Sequence, residues 1–298
     1  MSTATTTQEQ QTRPAAAPRR GRDGDRLGDT GSWRRIGAVF LGLVIVAYGL
    51  PLFWMIATSF KRQQELATGS WLPRSPTGAA YVQFFQTDFL PALSNSAQLS
   101  LLTTLLTVLM AVPAAYGLSH TTNPLITPAL VLLLVVQMIP TTATIIPLFR
   151  LLSQIGLVGT IPGVALAQCT LFVPLAVLIL RPAFAGLPPA LEEAARIDGA
   201  GRLRYLVSIA LPLLRNSIIV VVAIVLVSSW GELVYPLTFL LEEDKYPLSV
   251  YIAQSVGRFN NTWNLLMSVA VMAALPVLLV VLAAQRRLQS GVTLGAVK

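Results

Sequence analysis

The sequence is poor in the residues from which most enzymes and metal sites are built. It has one cysteine, Cys169, and one histidine, His120, which excludes an internal disulfide framework and a zinc site of the two-histidine or Cys/His kind. Only three lysines are present, and Lys61, Lys245 and Lys298 come after Phe60, Asp244 and Val297 rather than a glycine. A phosphate loop of the form GxxxxGK ending in Ser or Thr is therefore absent, and with it that route to ATP hydrolysis. Charged residues make up only 11% of the 298 positions against 54% hydrophobic, and mean hydropathy is +0.67. Soluble domains carry roughly 25% charged residues, so the composition points to a membrane. The net charge of +8 does not mark a nucleic-acid groove, because the arginines sit in short segments between long apolar runs.

Those runs set the organisation. Residues 1–35 hold almost nothing apolar before Trp33, too little to offset the entropy of ordering, and read as a disordered cytoplasmic tail. Ile36 to Phe60 is 25 residues without a charge, longer than the apolar core of a signal peptide. It reads as the first membrane span. Further apolar stretches at 97–118, 125–149, 161–180, 218–241 and 263–284 each reach the ~20 residues that a hydrocarbon core requires. The expected fold is an all-α membrane domain over 36–298 with six transmembrane helices.

Six spans place both termini on one side. Fifteen lysines and arginines fall on that side (seven in 1–35, five in 181–217, three in 285–298) and six on the other. The positive-inside rule makes the termini cytoplasmic. Seven prolines fall inside the spans, Pro51, Pro113, Pro140, Pro147, Pro174, Pro236 and Pro276. Each frees a carbonyl that lipid cannot satisfy, so the kinks either bend helices within a tight bundle or face a watery path.

The long inner loop 181–217 carries the most specific signal. In Pro188-Pro189-Ala190-Leu191-Glu192-Glu193, prolines suit a helix start and acids suit its first turns. The helix should stop at Asp198-Gly199, where glycine supplies a positive φ and Asp198 can cap the next element. A second short helix is expected from about Gly201 to Ser208. Glu193-Ala194-Ala195, Gly199 six positions after the glutamate, and then Ile209, Leu211 and Pro212 resemble the EAA motif of binding-protein-dependent ABC importer permeases. The ending, from Gln285-Arg286-Arg287 to Gly295-Ala296-Val297-Lys298, and the long outer loop after the first span are similar to the maltose-type, carbohydrate-uptake branch.

The resemblance implies a type I importer permease fold in the bacterial cytoplasmic membrane. The loop becomes the coupling helix that docks on an ATPase dimer, with Glu193, Ala194, Ala195, Asp198, Gly199, Ala200, Ile209, Leu211 and Pro212 as the docking residues. It further implies a second homologous permease, an extracytoplasmic solute-binding protein meeting the outer loop 242–262, and no catalysis, cofactor or metal in this chain, ATP being held by the partner. Small residues at Ala194, Ala195 and Gly199 would let that partner approach, and Glu193 would meet an arginine.

Within the fifth stretch, Glu232 is an ionisable residue in a span and a substrate-path candidate, with snorkelling to water as the alternative. The family often has Trp-Asn-Glu there, whereas Gly231 stands in the Asn position here. Trp230 and Tyr235 either stack on sugar rings or form an interfacial aromatic belt. His120 reads as a solvated loop residue and Cys169 as a packing residue. The solute expected is a sugar or short oligosaccharide, with glycerol phosphate or a polyol as the alternative. An ion-coupled carrier is a further one, although paired intramembrane acids and an internal repeat are both missing.

Overall fold

The computed structural model describes residues 30–66, 69–85, 88–120, 123–258 and 262–293, and no strand occurs among them. In chain order the α-helices are α1 (Thr30–Ser59), α2 (Gln63–Leu66), α3 (Ala79–Phe84), α4 (Phe89–Ser119), α5 (Ile126–Gln137), α6 (Thr141–Gln154) and α7 (Ile161–Ala185). They continue with α8 (Pro189–Ile197), α9 (Arg202–Tyr205), α10 (Leu211–Leu213), α11 (Arg215–Gly231), α12 (Val234–Phe239), α13 (Leu248–Arg258) and α14 (Trp263–Thr293). A π turn, Leu206–Ala210, joins α9 to α10.

Among the described residues, four helical segments are long and apolar enough to cross a membrane alone, Gly37–Ser59, Phe89–Ser119, Ile161–Ala185 and Trp263–Gln285. Two bent pairs, α5 with α6 and the α9 to α10 segment with α11, bring the number to six if each pair is one crossing.

The boundaries differ from the sequence expectation where local chemistry intervenes. The helix of the first span begins at Thr30, before the expected Ile36, because nothing in 30–35 beyond one first-turn glycine opposes a helix. The rest of the proposed tail, and Gly295–Lys298, lie outside the described residues. The third stretch is not one helix: it bends by 100° between Gln137 and Thr141. Pro140 takes φ −58° and ψ 135° and has no N–H to continue the ladder, so the chain must restart there. The fifth stretch stops at Gly231, turns through Glu232 and Leu233, and resumes as the short α12. Pro51, Pro113, Pro174 and Pro276 are instead absorbed inside continuous helices.

The chain divides into two compact units, Met1–Leu52 and Phe53–Lys298. In the first, Val39, Phe40, Leu43 and Ile45 are all more than 60% exposed, an apolar surface suited to lipid. In the second, α7 is the central helix, with 61% of its most apolar window buried. It packs along α4, whose inward stripe is made of small and hydroxyl residues, including Ser96, Ser100, Thr103, Thr104 and Thr107. Small residues let helix backbones approach closely where hydrocarbon outside provides no hydrophobic drive. At the start of α7 the preceding link folds back closely on the helix: a Cβ added to Gly163 would collide with the Leu157 carbonyl oxygen.

Candidate functional site

The loop 181–217 forms a helix and a turn, as expected. Pro188 is extended (φ −60°, ψ 128°) and Pro189 occupies the first turn of α8, where its missing N–H costs nothing. The helix ends in paired reverse bonds: the Ala200 amide donates to the Ala195 carbonyl at 2.8 Å and the Gly199 amide to that of Arg196 at 3.0 Å. This Schellman geometry requires a left-handed residue, and Gly199 provides it at φ +77°. No atom lies within 4 Å of a Cβ built on Gly199, so its backbone freedom within the chain accounts for the glycine.

The motif residues divide by direction. Glu193, Ala194, Asp198, Gly199 and Pro212 are exposed, whereas Ala195 is 5% exposed and Ala200, Ile209 and Leu211 are half-buried. Ala195 packs in the same cluster as Phe184, Tyr205, Ala210 and Leu214. Its small size thus serves contact with its own chain, where a shared role with Ala194 toward a partner was expected. Asp198 closes α8 through its backbone amide, and the next turn is capped by Gly201 without a side-chain bond. The expected helix from Gly201 to Ser208 is shorter, Arg202–Tyr205. It runs on through the π turn to Leu213, and the chain then bends by 80° into α11.

The loop is anchored from above by aromatic rings. Tyr116 near the end of α4 lies 5.8 Å from Phe184 and 6.2 Å from Tyr205, and Arg181 donates from Nε to the Leu118 carbonyl at 3.3 Å. His120, expected to be free in solvent, faces Glu192 with Nε2 to Oε2 at 3.1 Å. The other Glu192 oxygen receives Arg196 at 2.6 Å. Glu193 has no such pairing among the described residues. It stands on the rim of a groove of about 320 Å3 with His120, Pro189, Glu192 and Arg196. Beside it Ile197 and Leu203 are 86% and 74% exposed, apolar side chains that only a partner or lipid would cover.

A second polar centre lies deep among the helices. Gln168 on α7 is fully buried. Its Oε1 accepts from Thr103 of α4 at 2.9 Å and from Ser229 of α11 at 2.5 Å, and its Nε2 donates to Glu232 at 3.2 Å. Glu232 sits in the gap between α11 and α12. There its carboxylate accepts from the Val234 amide at 2.7 Å and from that of Tyr235, the first donors of a helix that otherwise has none to pair them. Its carbonyl accepts from Ser249 at 2.8 Å. The glutamate is thus a half-buried cap and a tie between helices.

Tyr235 is completely buried, with its hydroxyl 2.6 Å from Thr144 and 3.3 Å from Thr170, and its ring stacks on Phe239. Trp230 is half-buried against the cluster of Phe89, Leu248 and Leu265. Neither lies in an exposed aromatic belt in this conformation. Cys169 is buried beside Thr107, a packing residue as expected. Gln168 was not singled out from the sequence. The only sign of it in the sequence was the run of hydroxyls at Ser100, Thr103, Thr104 and Thr107; Ser100 and Thr104 bond carbonyls of their own helix, and Thr103 reaches Gln168 across the interface.

The outer loop is also tied down. Asn95 donates to the carbonyls of Asp244 and Tyr246, and the Leu248 amide donates to Ser96. The loop and the start of α4 line a second groove of about 170 Å3 with acids at Asp88, Glu243 and Asp244 and rings at Tyr246 and Tyr251. At Lys245, outside the spans, a hydrogen bond to Glu242 holds the ammonium pKa above its ordinary value.

Four helices long enough to cross a membrane, two bent pairs and an exposed helical turn at α8 among the described residues define a multi-pass helical membrane protein. Residues 95–294 match the family described as binding-protein-dependent transport system inner membrane component, and the chain belongs to that family. It is 30% identical over 259 residues to the sulfoquinovosyl glycerol transport system permease protein SmoH of Agrobacterium fabrum, covering 86% of this chain and 91% of that one. It is also 30% identical to the trehalose transport system permease protein SugB of Mycobacterium tuberculosis, over 87% of this chain and 96% of the relative. The fold is shared with a chain in the crystal structure of a bacterial ABC transporter involved in import of the acidic polysaccharide alginate. The TM-score is 0.74 at 21% identity, over 86% of this chain and 96% of the other.

Proposed function

We propose that this chain is the permease that carries a sugar or short oligosaccharide across the cytoplasmic membrane. Separate ATPase subunits docked on α8 would drive it, and a second permease would complete the pathway. An extracytoplasmic binding protein would deliver the solute at the groove near Asp88 and Glu243. The termini are cytoplasmic in this reading, the chain binds no cofactor, and it catalyses no reaction of its own. The observation that carries the reading is the outward set of the loop: Glu193 and Ala194 exposed beside a groove, on a helix closed by Gly199. The names of SmoH and SugB, which refer to a sugar glycoside and a disaccharide, support the solute class. Closure of the ATPase dimer would draw the docked loops together. Because α8 is packed onto the ends of α4 and α7, that motion would pass into the helices and alternate access to the path.

The test is purification of the tagged chain from its native membrane in mild detergent, and then uptake of labelled disaccharides into proteoliposomes. Stoichiometric recovery of an ABC ATPase and a second permease, with ATP-dependent uptake that is lost in Glu193→Lys, is the expected result. Recovery of the chain alone, or uptake driven by an ion gradient without ATP, would overturn the proposal.

A further inference from the structure

We infer that His120 is a positioning residue for the docking helix, setting the direction in which Glu193 and Ala194 face. The inference rests on the proposed docking role of α8. His120 is the first residue after α4, in the short link to α5, and lies outside the EAA motif. At Nδ1 the ring meets the Ser119 hydroxyl at 2.8 Å and the Tyr116 carbonyl at 3.1 Å, and at Nε2 it faces the Glu192 carboxylate at 3.1 Å, an acceptor to which the ring N–H donates. Its face lies 4.4 Å from the Tyr116 ring and 6.5 Å from that of Tyr205, so the donor has little freedom to swing away.

Glu192 immediately precedes Glu193, and successive side chains on an α-helix point about 100° apart. Holding Glu192 inward against His120 therefore turns Glu193 outward. Arg196, one turn on, braces the same carboxylate from the solvent side. The clamp also gives α8 a link to α4 that bypasses the chain between them. Thr103, on the same α4, bonds Gln168 in the deep polar centre, 17 residues and about 25 Å from His120 along the helix. A shift of α4 thus reaches the docking helix through one imidazole hydrogen bond as well as through ring packing.

The test uses the complex purified with its ATPase and binding protein. The readout is the ratio of binding-protein-stimulated to basal ATP hydrolysis for His120→Ala, His120→Phe and His120→Gln, with Glu193→Lys measured alongside. Phenylalanine keeps the ring packing and removes the donor; glutamine keeps a donor without the ring. The expected result is a fall of roughly tenfold to hundredfold for Ala and Phe, the size expected on losing one hydrogen bond to a charged group, with recovery in Gln at equal yield of inserted protein. Adding Glu192→Gln to His120→Phe should cost less than the sum of the two single changes, because they share one bond and only the Arg196 pairing is lost beyond it. A normal ratio in Phe, or a Gln variant as defective as Ala, would overturn the inference. If Glu193→Lys loses stimulation while Phe does not, only the role of His120 falls. If Glu193→Lys keeps it, the docking reading falls and this inference with it.

Discussion

The exposed loop that carries α8 and the break at Glu232 both solve the problem of ending a helix, and they do so with different kinds of partner. At the end of α8 every group needed is within six residues: Gly199 turns left-handed, and the amides of Gly199 and Ala200 return to Arg196 and Ala195. At the end of α11 the first amides of α12 are met by Glu232, and that carboxylate is held by Gln168, 64 residues earlier in the chain. The first solution is written in consecutive residues. The second exists only after α4, α7 and α11 have come together. A locally closed end can sit at a water-facing surface and be presented to another protein, whereas a non-local one fixes how buried helices pack.

The largest effect that separates the two regions is expected for Glu193→Lys. Replacing an acceptor by a like charge against a partner cation removes a charge-assisted contact of about 1.5–3 kcal/mol, a loss of roughly ten- to hundredfold in coupled hydrolysis. Melting of the isolated chain should not move, and a lowered melting point would make Glu193 a residue of the fold instead. Gln168→Leu should behave in the opposite sense. It leaves Thr103, Ser229 and Glu232 without their shared partner at a cost of about 1–3 kcal/mol, visible as thermal destabilisation in detergent. Equal melting of variant and native protein would show that the hydroxyls find other partners.

Gly199→Ala should cost about 1–2 kcal/mol from its positive φ. Gly199→Asn should cost less, since asparagine tolerates that region. If Asn couples as badly as Ala despite a restored turn, the partner must also touch the glycine. Lys245→Ala sets the lower end. The ion pair with Glu242 is exposed, so removing it should leave uptake and melting unchanged within error. The ammonium pKa is raised in the folded protein, so the pair's contribution is present below the usual lysine range and fades only as pH rises through the higher value. The difference in melting between Lys245→Ala and the native protein should therefore be flat in pH across neutrality.

The same contrast explains what could be read in advance. The helical membrane architecture comes from run lengths and composition, and the end of α8 from Pro189 and Gly199, because these are properties of neighbouring residues. Pro140 marked the bend in the third stretch, yet Pro51, Pro113, Pro147, Pro174 and Pro276 sit inside continuous helices, since a long helix can absorb one lost bond. The direction of Ala195 was not legible, because Ala194 and Ala195 are alike in composition and only the aromatic anchor above them tells them apart. Glu232 was visible as an anomaly in an apolar stretch, but its cap required Gln168, and His120 looked like an ordinary loop residue without Glu192 beside it. In each of these the missing information was a contact between distant segments.

The π turn at Leu206–Ala210 has a consequence for chain length. A π turn accommodates one residue more than an α turn, so the segment between the docking loop and α11 carries a residue of slack. Deleting one residue from Leu206–Ala210 can be absorbed by conversion to a regular turn, with the helices on either side keeping their faces. The same deletion within Arg215–Gly231 would rotate everything beyond it by about 100° and carry Ser229 away from Gln168. Between two surfaces that must each keep their orientation, the chain thus holds one place where its length can be adjusted.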